Sequence, residues 1–145
     1  MFNQFYRLGI LAVVYRQRKS NIEYLLLHRI RPWEGWELLK GGIGGRTEEE
    51  ALERELFEEA SLRILSKQKI PIRVKYKLPE ESRNKWIGQK LQAYLVEVNP
   101  EDKVIINFRE HDDYCWANYE QSLELLRHKQ QKNVLRYANK FLEIL

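Results

Sequence analysis

Gly41-Gly42-Ile43-Gly44-Gly45-Arg46-Thr47-Glu48-Glu49-Glu50-Ala51-Leu52-Glu53-Arg54-Glu55-Leu56-Phe57-Glu58-Glu59-Ala60 is the stretch on which the fold of this chain turns. Four of the seven glycines fall between Gly41 and Gly45, a density that neither a helix nor a central strand tolerates well, so a loop is expected there. Thr47 can cap a helix, and Glu50 three residues later completes a capping box. Glu48 and Glu49 favour the positive end of the helix dipole, and the helix is predicted to run to about Ala60.

On that helix Glu55, Glu58 and Glu59 stand at i, i+3 and i+4, so their carboxylates share one face about 100° wide. Ala51, Leu52 and Leu62 fall inside or beside the same arc, which predicts partial burial. Two carboxylates about 5 Å apart repel by less than about 1 kcal/mol in water but by about 3 kcal/mol at an effective dielectric near 20. Three such pairs call for a counter-cation. Hard oxygen donors without His or Cys partners point to Mg²⁺ or Mn²⁺. The glycine loop and the helix N-terminus beside it suit an anion.

Outward from this stretch, Tyr6–Tyr15 and Ile22–Arg29 are β-rich apolar runs joined by a polar turn over Arg16–Asn21, the pattern of a hairpin. Trp36–Leu39 reads as a short strand. Ile72, Val74, Tyr76 and Leu78 alternate with Arg73, Lys75 and Lys77, a strand with one apolar and one basic face that Pro79 closes. Gln89–Val98 and Tyr114–Ala117 are further strand candidates. From Tyr119 the pattern is helical, and Val134, Tyr137, Ala138, Phe141, Leu142 and Leu145 form its apolar stripe. Interleaved strands and helices favour an α/β fold with a mixed sheet covered by helices.

The chain has 145 residues, 43% of them apolar, and neither repeats nor a Pro/Gly/Ser linker, so a single domain over residues 1–145 is expected. Its longest apolar run, Leu8–Tyr15, is far short of the roughly 20 residues needed to cross a bilayer. Met1-Phe2-Asn3-Gln4 does not read as a charged leader, so a soluble cytoplasmic protein without membrane association is expected. One cysteine, Cys115, excludes an internal disulfide and a thiolate metal cluster. Twenty-five Lys+Arg against 21 Asp+Glu leave a net charge of +4, but the signs are segregated. Seven acidic residues lie within Glu48–Glu59, whereas Arg63–Lys90 carries nine Lys/Arg and two Glu. Such a division suggests one site that holds cations and anions together.

Trp36-Glu37-Leu38-Leu39-Lys40-Gly41-Gly42-Ile43, then Ala51 and Arg54-Glu55-Leu56-Phe57-Glu58-Glu59-Ala60-Ser61-Leu62, resemble the Nudix box, whose REUxEE segment is matched in full. The resemblance implies a Nudix-type α/β/α sandwich. It makes Glu55, Glu58 and Glu59 metal ligands, Gly41 a backbone contact near the metal and Arg54 a structural partner of the loop. Three positions depart from the signature. Its first Glu falls on Arg46, its loop from Gly41 is one residue shorter, and its last Gly is Ser61. Arg46 would repel a nearby metal or grip a phosphate with its planar fork. Glu48 lies on the metal-facing side of the helix but about 10 Å back from Glu55.

Val74–Pro79 and Trp86–Lys90 resemble segments of RNA 5′-pyrophosphohydrolases and diadenosine polyphosphate hydrolases, as do Tyr6-Arg7 and Glu110 with Tyr114-Cys115-Trp116. By that resemblance Glu110 contributes to metal binding or base chemistry, alongside Glu58 and Glu59. The substrate-binding candidates are Arg7, Arg29, Lys40, Arg46, Tyr76 and Lys90. Trp33, Trp36, Tyr76 and Trp86 are packing residues or platforms for a base. His28, His111 and His128 are too scattered along the chain to argue a metal site and are read as ordinary residues.

The expected activity is Mg²⁺- or Mn²⁺-dependent hydrolysis of a phosphoanhydride bond. The substrate would be a dinucleoside polyphosphate such as diadenosine tetraphosphate, or an RNA 5′-triphosphate end, turned over by a monomer or homodimer. Two alternatives stay open: a Nudix-fold nucleotide or RNA binding module without catalysis, and an RNA-binding regulator that uses the basic strand Arg73–Lys77.

Overall fold

In the computed structural model, which describes residues 5–83 and 85–144, the apolar run of the first strand lies in the middle of a sheet buried on both faces. The leader reading of Met1-Phe2-Asn3-Gln4 and the place of Leu145 on the helical stripe fall outside the described residues. β1 (Tyr6–Arg18) alternates strictly: Ile10, Ala12 and Val14 enter one core, whereas Leu11, Val13 and Tyr15 enter the other. A strand covered on both sides needs no polar face, which is why Gly9–Tyr15 is almost unbroken apolar sequence.

β1 pairs in parallel with β6 (Gly88–Glu97) over ten residues, and β6 pairs antiparallel with β5 (Ser66–Lys77). The other edge of β1 is shared. Its far end meets β2 (Asn21–Arg29), and its near end meets β4 (Leu39–Gly42). β2 carries β3 (Gly35–Glu37) and β7 (His111–Ala117) as antiparallel partners. The seven-stranded sheet is therefore mixed, as expected. α1 (Glu48–Ala60) packs Ala51, Leu52, Leu56 and Ala60 onto one face. On the other face lie α2 (Tyr119–Leu125) and α3 (Lys129–Ile144), the latter through Val134, Leu135 and Ala138. Among the described residues no helix is long and apolar enough to cross a membrane.

Four local differences from the sequence reading have physical causes. The hairpin turn is only Lys19-Ser20, because Arg16 and Glu23 face each other in register and form a 2.7 Å ion pair that extends the ladder. Gly41 and Gly42 end β4 rather than forming loop. The strands approach so closely that Gly9 of β1 must lack a side chain, since a Cβ there would overlap the Gly41 carbonyl, while Cβ atoms on Gly41 and Gly42 would meet the Glu55 and Arg7 side chains. The C-terminal helical region breaks at Leu126–His128, where Arg127 N–H donates to the Trp36 carbonyl. Tyr137 is exposed, since the buried stripe is centred on Gln131, Val134, Leu135 and Ala138, and Tyr137 lies about 110° from that centre.

Candidate active site

α1 begins where the sequence places it. Thr47 accepts from the Glu50 amide, and the Glu50 carboxylate accepts from the Thr47 amide at 3.0 Å. The helix stops at Ser61, whose left-handed backbone (φ 59°) lets its N–H reach the Leu56 and Phe57 carbonyls. The Nudix signature has glycine at this place, and Ser61 meets the same backbone requirement with a side chain. Between these caps α1 projects Glu55, Glu58 and Glu59 into a cavity of about 790 Å³ whose floor is Gly41 and Gly42.

The three carboxylates sit in different surroundings. Glu59 is buried, Glu55 nearly so, and Glu58 is half-exposed and receives a 3.1 Å hydrogen bond from Arg54 Nε. Burial, then the charges of Glu59 and Glu58, push the Glu55 carboxyl up to about 7. Gly41 and Glu55 interlock, since a Cβ on Gly41 would overlap the Glu55 carboxyl; a Cβ on Gly42 would overlap the Arg7 guanidinium. The donor set fits a divalent cation: crowded carboxylates, one of them with its pKa raised to about 7, and a buried Glu59 Oε1 without an aligned hydrogen bond.

The same cavity is lined by the basic side chains of Arg7, Lys40 and Lys77 and by the rings of Trp33, Tyr76 and His128. The His128 ring meets Trp33 and Tyr76 edge-on at centroid distances of 4.4 and 5.6 Å. The break between α2 and α3 sets His128 there. Glu110 lies at the rim, 3.3 Å from Arg29 Nη2. Of the six substrate-binding candidates, the structure brings Arg7, Arg29, Lys40 and Tyr76 to the cavity wall. It does not bring Arg46 or Lys90. Arg46 is exposed on the turn made by Gly44 and Gly45, both at positive φ, and its charge lies near Glu50. Lys90 is directed to the Tyr6 ring, 5.8 Å away. Glu48 is likewise off the site, accepting from Tyr94 Oη at 2.6 Å and pairing with Lys69 at 3.3 Å.

Behind the cavity lies a group that sequence reasoning missed. Glu37 is fully buried; its Oε2 accepts from Arg29 Nε at 2.6 Å and lies 2.8 Å from His111 Nε2, and Lys40 Nζ is 3.9 Å from Oε1. Burial opposes its charge, but the His111 hydrogen bond, Lys40 and Arg29 outweigh it and hold the carboxyl below its ordinary value. Burial pushes Lys40 down, with Glu37 opposing. His111 is buried and lies between two carboxylates, with Nδ1 3.3 Å from Glu59 Oε1. Glu37 and Glu59 raise its pKa against the effect of burial. The available signal was an acid inside the Trp36–Leu39 apolar strand, which a buried position tolerates only with a partner. Three of Arg29's five N–H donors are thus committed within the protein, to Glu37, the Arg31 carbonyl and Glu110, which makes it a scaffold for the wall.

The family model described as NUDIX domain matches residues 5–138. An RNA pyrophosphohydrolase of Shewanella denitrificans is 36% identical over 99 residues, covering 58% of this chain and 56% of the relative. One from Shewanella baltica is 34% identical over 99 residues with the same coverage. The chain spans about half the length of these curated relatives. Among solved structures, a C. elegans Ap4A hydrolase binary complex superposes with a TM-score of 0.79 at 24% identity, over 96% of this chain and 99% of that one. The E. coli dihydroneopterin triphosphate pyrophosphohydrolase gives 0.72 at 18% identity, over 92% and 96%. At these identities the solved structures speak to the fold alone. The matched residues include every wall of the cavity, from Arg7 to His128, and the chain belongs to the Nudix family.

Proposed function

We propose that this protein is a pyrophosphohydrolase, dependent on Mg²⁺ or Mn²⁺, that cleaves a phosphoanhydride bond of a nucleotide polyphosphate. The observation that carries this reading is one cavity whose lining combines three chemistries: the carboxylates of α1, the basic groups of Arg7, Lys40 and Lys77, and the rings of Trp33, Tyr76 and His128. Glu55, Glu58 and Glu59, with the Gly41 backbone, would hold the cation. Bound there, a divalent ion neutralises phosphate charge and lowers the pKa of water. Arg7 and Lys40 take phosphate oxygens, and the aromatic wall takes a base. A carboxylate oxygen of Glu58 or Glu110, both more exposed than Glu55 and Glu59, accepts the proton of the attacking water.

Two substrates fit this arrangement: diadenosine tetraphosphate, towards which the combined aromatic and basic lining leans, and RNA 5′-triphosphate ends, RNA being what the names of the curated relatives specify. Phosphate and pyrophosphate release over a nucleotide panel with added Mg²⁺ tests the reading, and the length dependence of turnover on RNA ends against the dinucleotide separates the two. A non-catalytic binding module is the second reading, favoured by Arg46 where the signature carries Glu. If Glu58→Gln leaves phosphate release unchanged while nucleotide binding persists, the enzyme reading loses its basis. The proposal further takes residues 1–145 as one domain, working as a monomer or homodimer in the cytoplasm without membrane contact, which the lone reduced-type Cys115 suits.

A further inference from the structure

His111 and Glu59 face each other in the interior as a close but poorly aligned pair. His111 is 3% exposed, and its Nδ1 stands 3.3 Å from Glu59 Oε1, yet both atoms are buried without a hydrogen-bond partner. The other ring nitrogen is committed. Glu37 Oε2 already accepts from the Arg29 guanidinium at 2.6 Å, so as an ion-paired carboxylate it can only accept, and His111 Nε2 at 2.8 Å must donate to it. Nδ1 therefore faces the Glu59 carboxylate across 3.3 Å without an aligned hydrogen bond, and the pair calls for a shared cation, which a proton on Nδ1 supplies only in poor alignment.

A metal ion meets that need. Two ligand atoms each about 2.1 Å from one ion, at 90–110° to each other, are about 3.0–3.4 Å apart, and the observed separation falls within that range. Glu110, the residue before His111, supplies a third donor: one ligand atom each from Glu59, Glu110 and His111 lie within 4.8 Å of one another. A carboxylate behind a ligating imidazole is the usual way of fixing its tautomer and ring plane, and Glu37 stands in that position.

We propose that His111 Nδ1 joins Glu59 and Glu110 as a nitrogen ligand to a divalent ion, with Glu37 orienting the imidazole, so that the site selects a first-row transition metal over Mg²⁺. This rests on the reading of α1 as a cation-holding wall and adds a ligand of a different chemical class to it. Imidazole binds Mn²⁺, Fe²⁺ and Zn²⁺ in preference to a hard, strongly hydrated ion such as Mg²⁺. The sequence conceals the site, because Glu59 and His111 lie on α1 and β7 and meet only after the sheet has formed.

Electron spin-echo envelope modulation of Mn²⁺ bound to the full chain tests it. The expected spectrum shows directly coupled ¹⁴N that is replaced by ¹⁵N features on selective ¹⁵N-histidine labelling. Since the chain has three histidines, the signal should survive in the His28→Gln, His128→Gln double variant and vanish in His111→Gln. His111→Gln should also weaken Mn²⁺ binding by about tenfold or more while changing Mg²⁺ binding by about twofold or less. If His111→Gln does not fold, the labelled wild-type chain and the double variant decide the matter unaided. Bound Mn²⁺ without histidine nitrogen coupling, or coupling lost in the double variant, overturns the inference and leaves the carboxylate site standing. No bound Mn²⁺ overturns both.

Discussion

Gly41 lies so close beneath the Glu55 carboxyl that a single β-carbon on Gly41 would occupy the same space. The relationship joins the last residues of β4 to the middle of α1, and it explains why a strand end carries glycine where packing alone would favour a larger residue.

Gly41→Ala should therefore displace Glu55 with little change to the rest of the fold. Overpacking of this kind costs about 1–3 kcal/mol. Activity with Mg²⁺ should fall by about tenfold or more, because the displaced carboxylate belongs to the cation-holding set. Parallel measurement of kcat and Tm checks this; full activity in the folded variant would show that Glu55 need not sit where it does.

The raised carboxyl of Glu55 makes stability depend on pH in the chelator-treated protein. In the folded chain it keeps its proton up to about pH 7, against an ordinary value of 4.5. Between these values the folded state binds the extra proton, so its stabilising contribution is full below 4.5 and lost as pH rises through 7. The loss amounts to at most about 3 kcal/mol. Thermal melts from pH 5 to pH 8 should show a decline that Glu55→Gln flattens and added Mn²⁺ suppresses. A variant whose profile matches the wild type would refute the assignment.

Ser61 holds a left-handed backbone (φ 59°) at the end of α1, and its hydroxyl donates to the Ile105 carbonyl at 3.3 Å. Ser61→Gly removes the steric cost of that backbone and gives up one long hydrogen bond. A gain of up to about 1 kcal/mol is expected, read as a rise in the denaturant midpoint with an unchanged m-value. A fall would mean that the hydroxyl bond matters more than the backbone.

Much of the local structure was legible in the chain itself, because it depends on neighbours in sequence. The capping box at Thr47 and Glu50, the helical spacing of Glu55, Glu58 and Glu59, and the alternation of Ile72, Val74 and Tyr76 are short-range patterns, and each became the element it predicts. The REUxEE segment carried the family, and with it the layered fold.

Tertiary structure decided which side chains share the cavity. Arg46 and Lys90 have the right charge, but the glycine turn and the strand register carry them away from it. His111 looked ordinary at 52 positions from Glu59, and Glu37 looked like one acid in a strand. Their pairing exists only because β2 brings β3 and β7 to its two edges and α1 packs across the same sheet. Spacing along a chain fixes which residues share a helix face or strand face. Contacts between elements depend on packing and burial, and a buried charge reveals its partner only once the space around it is closed.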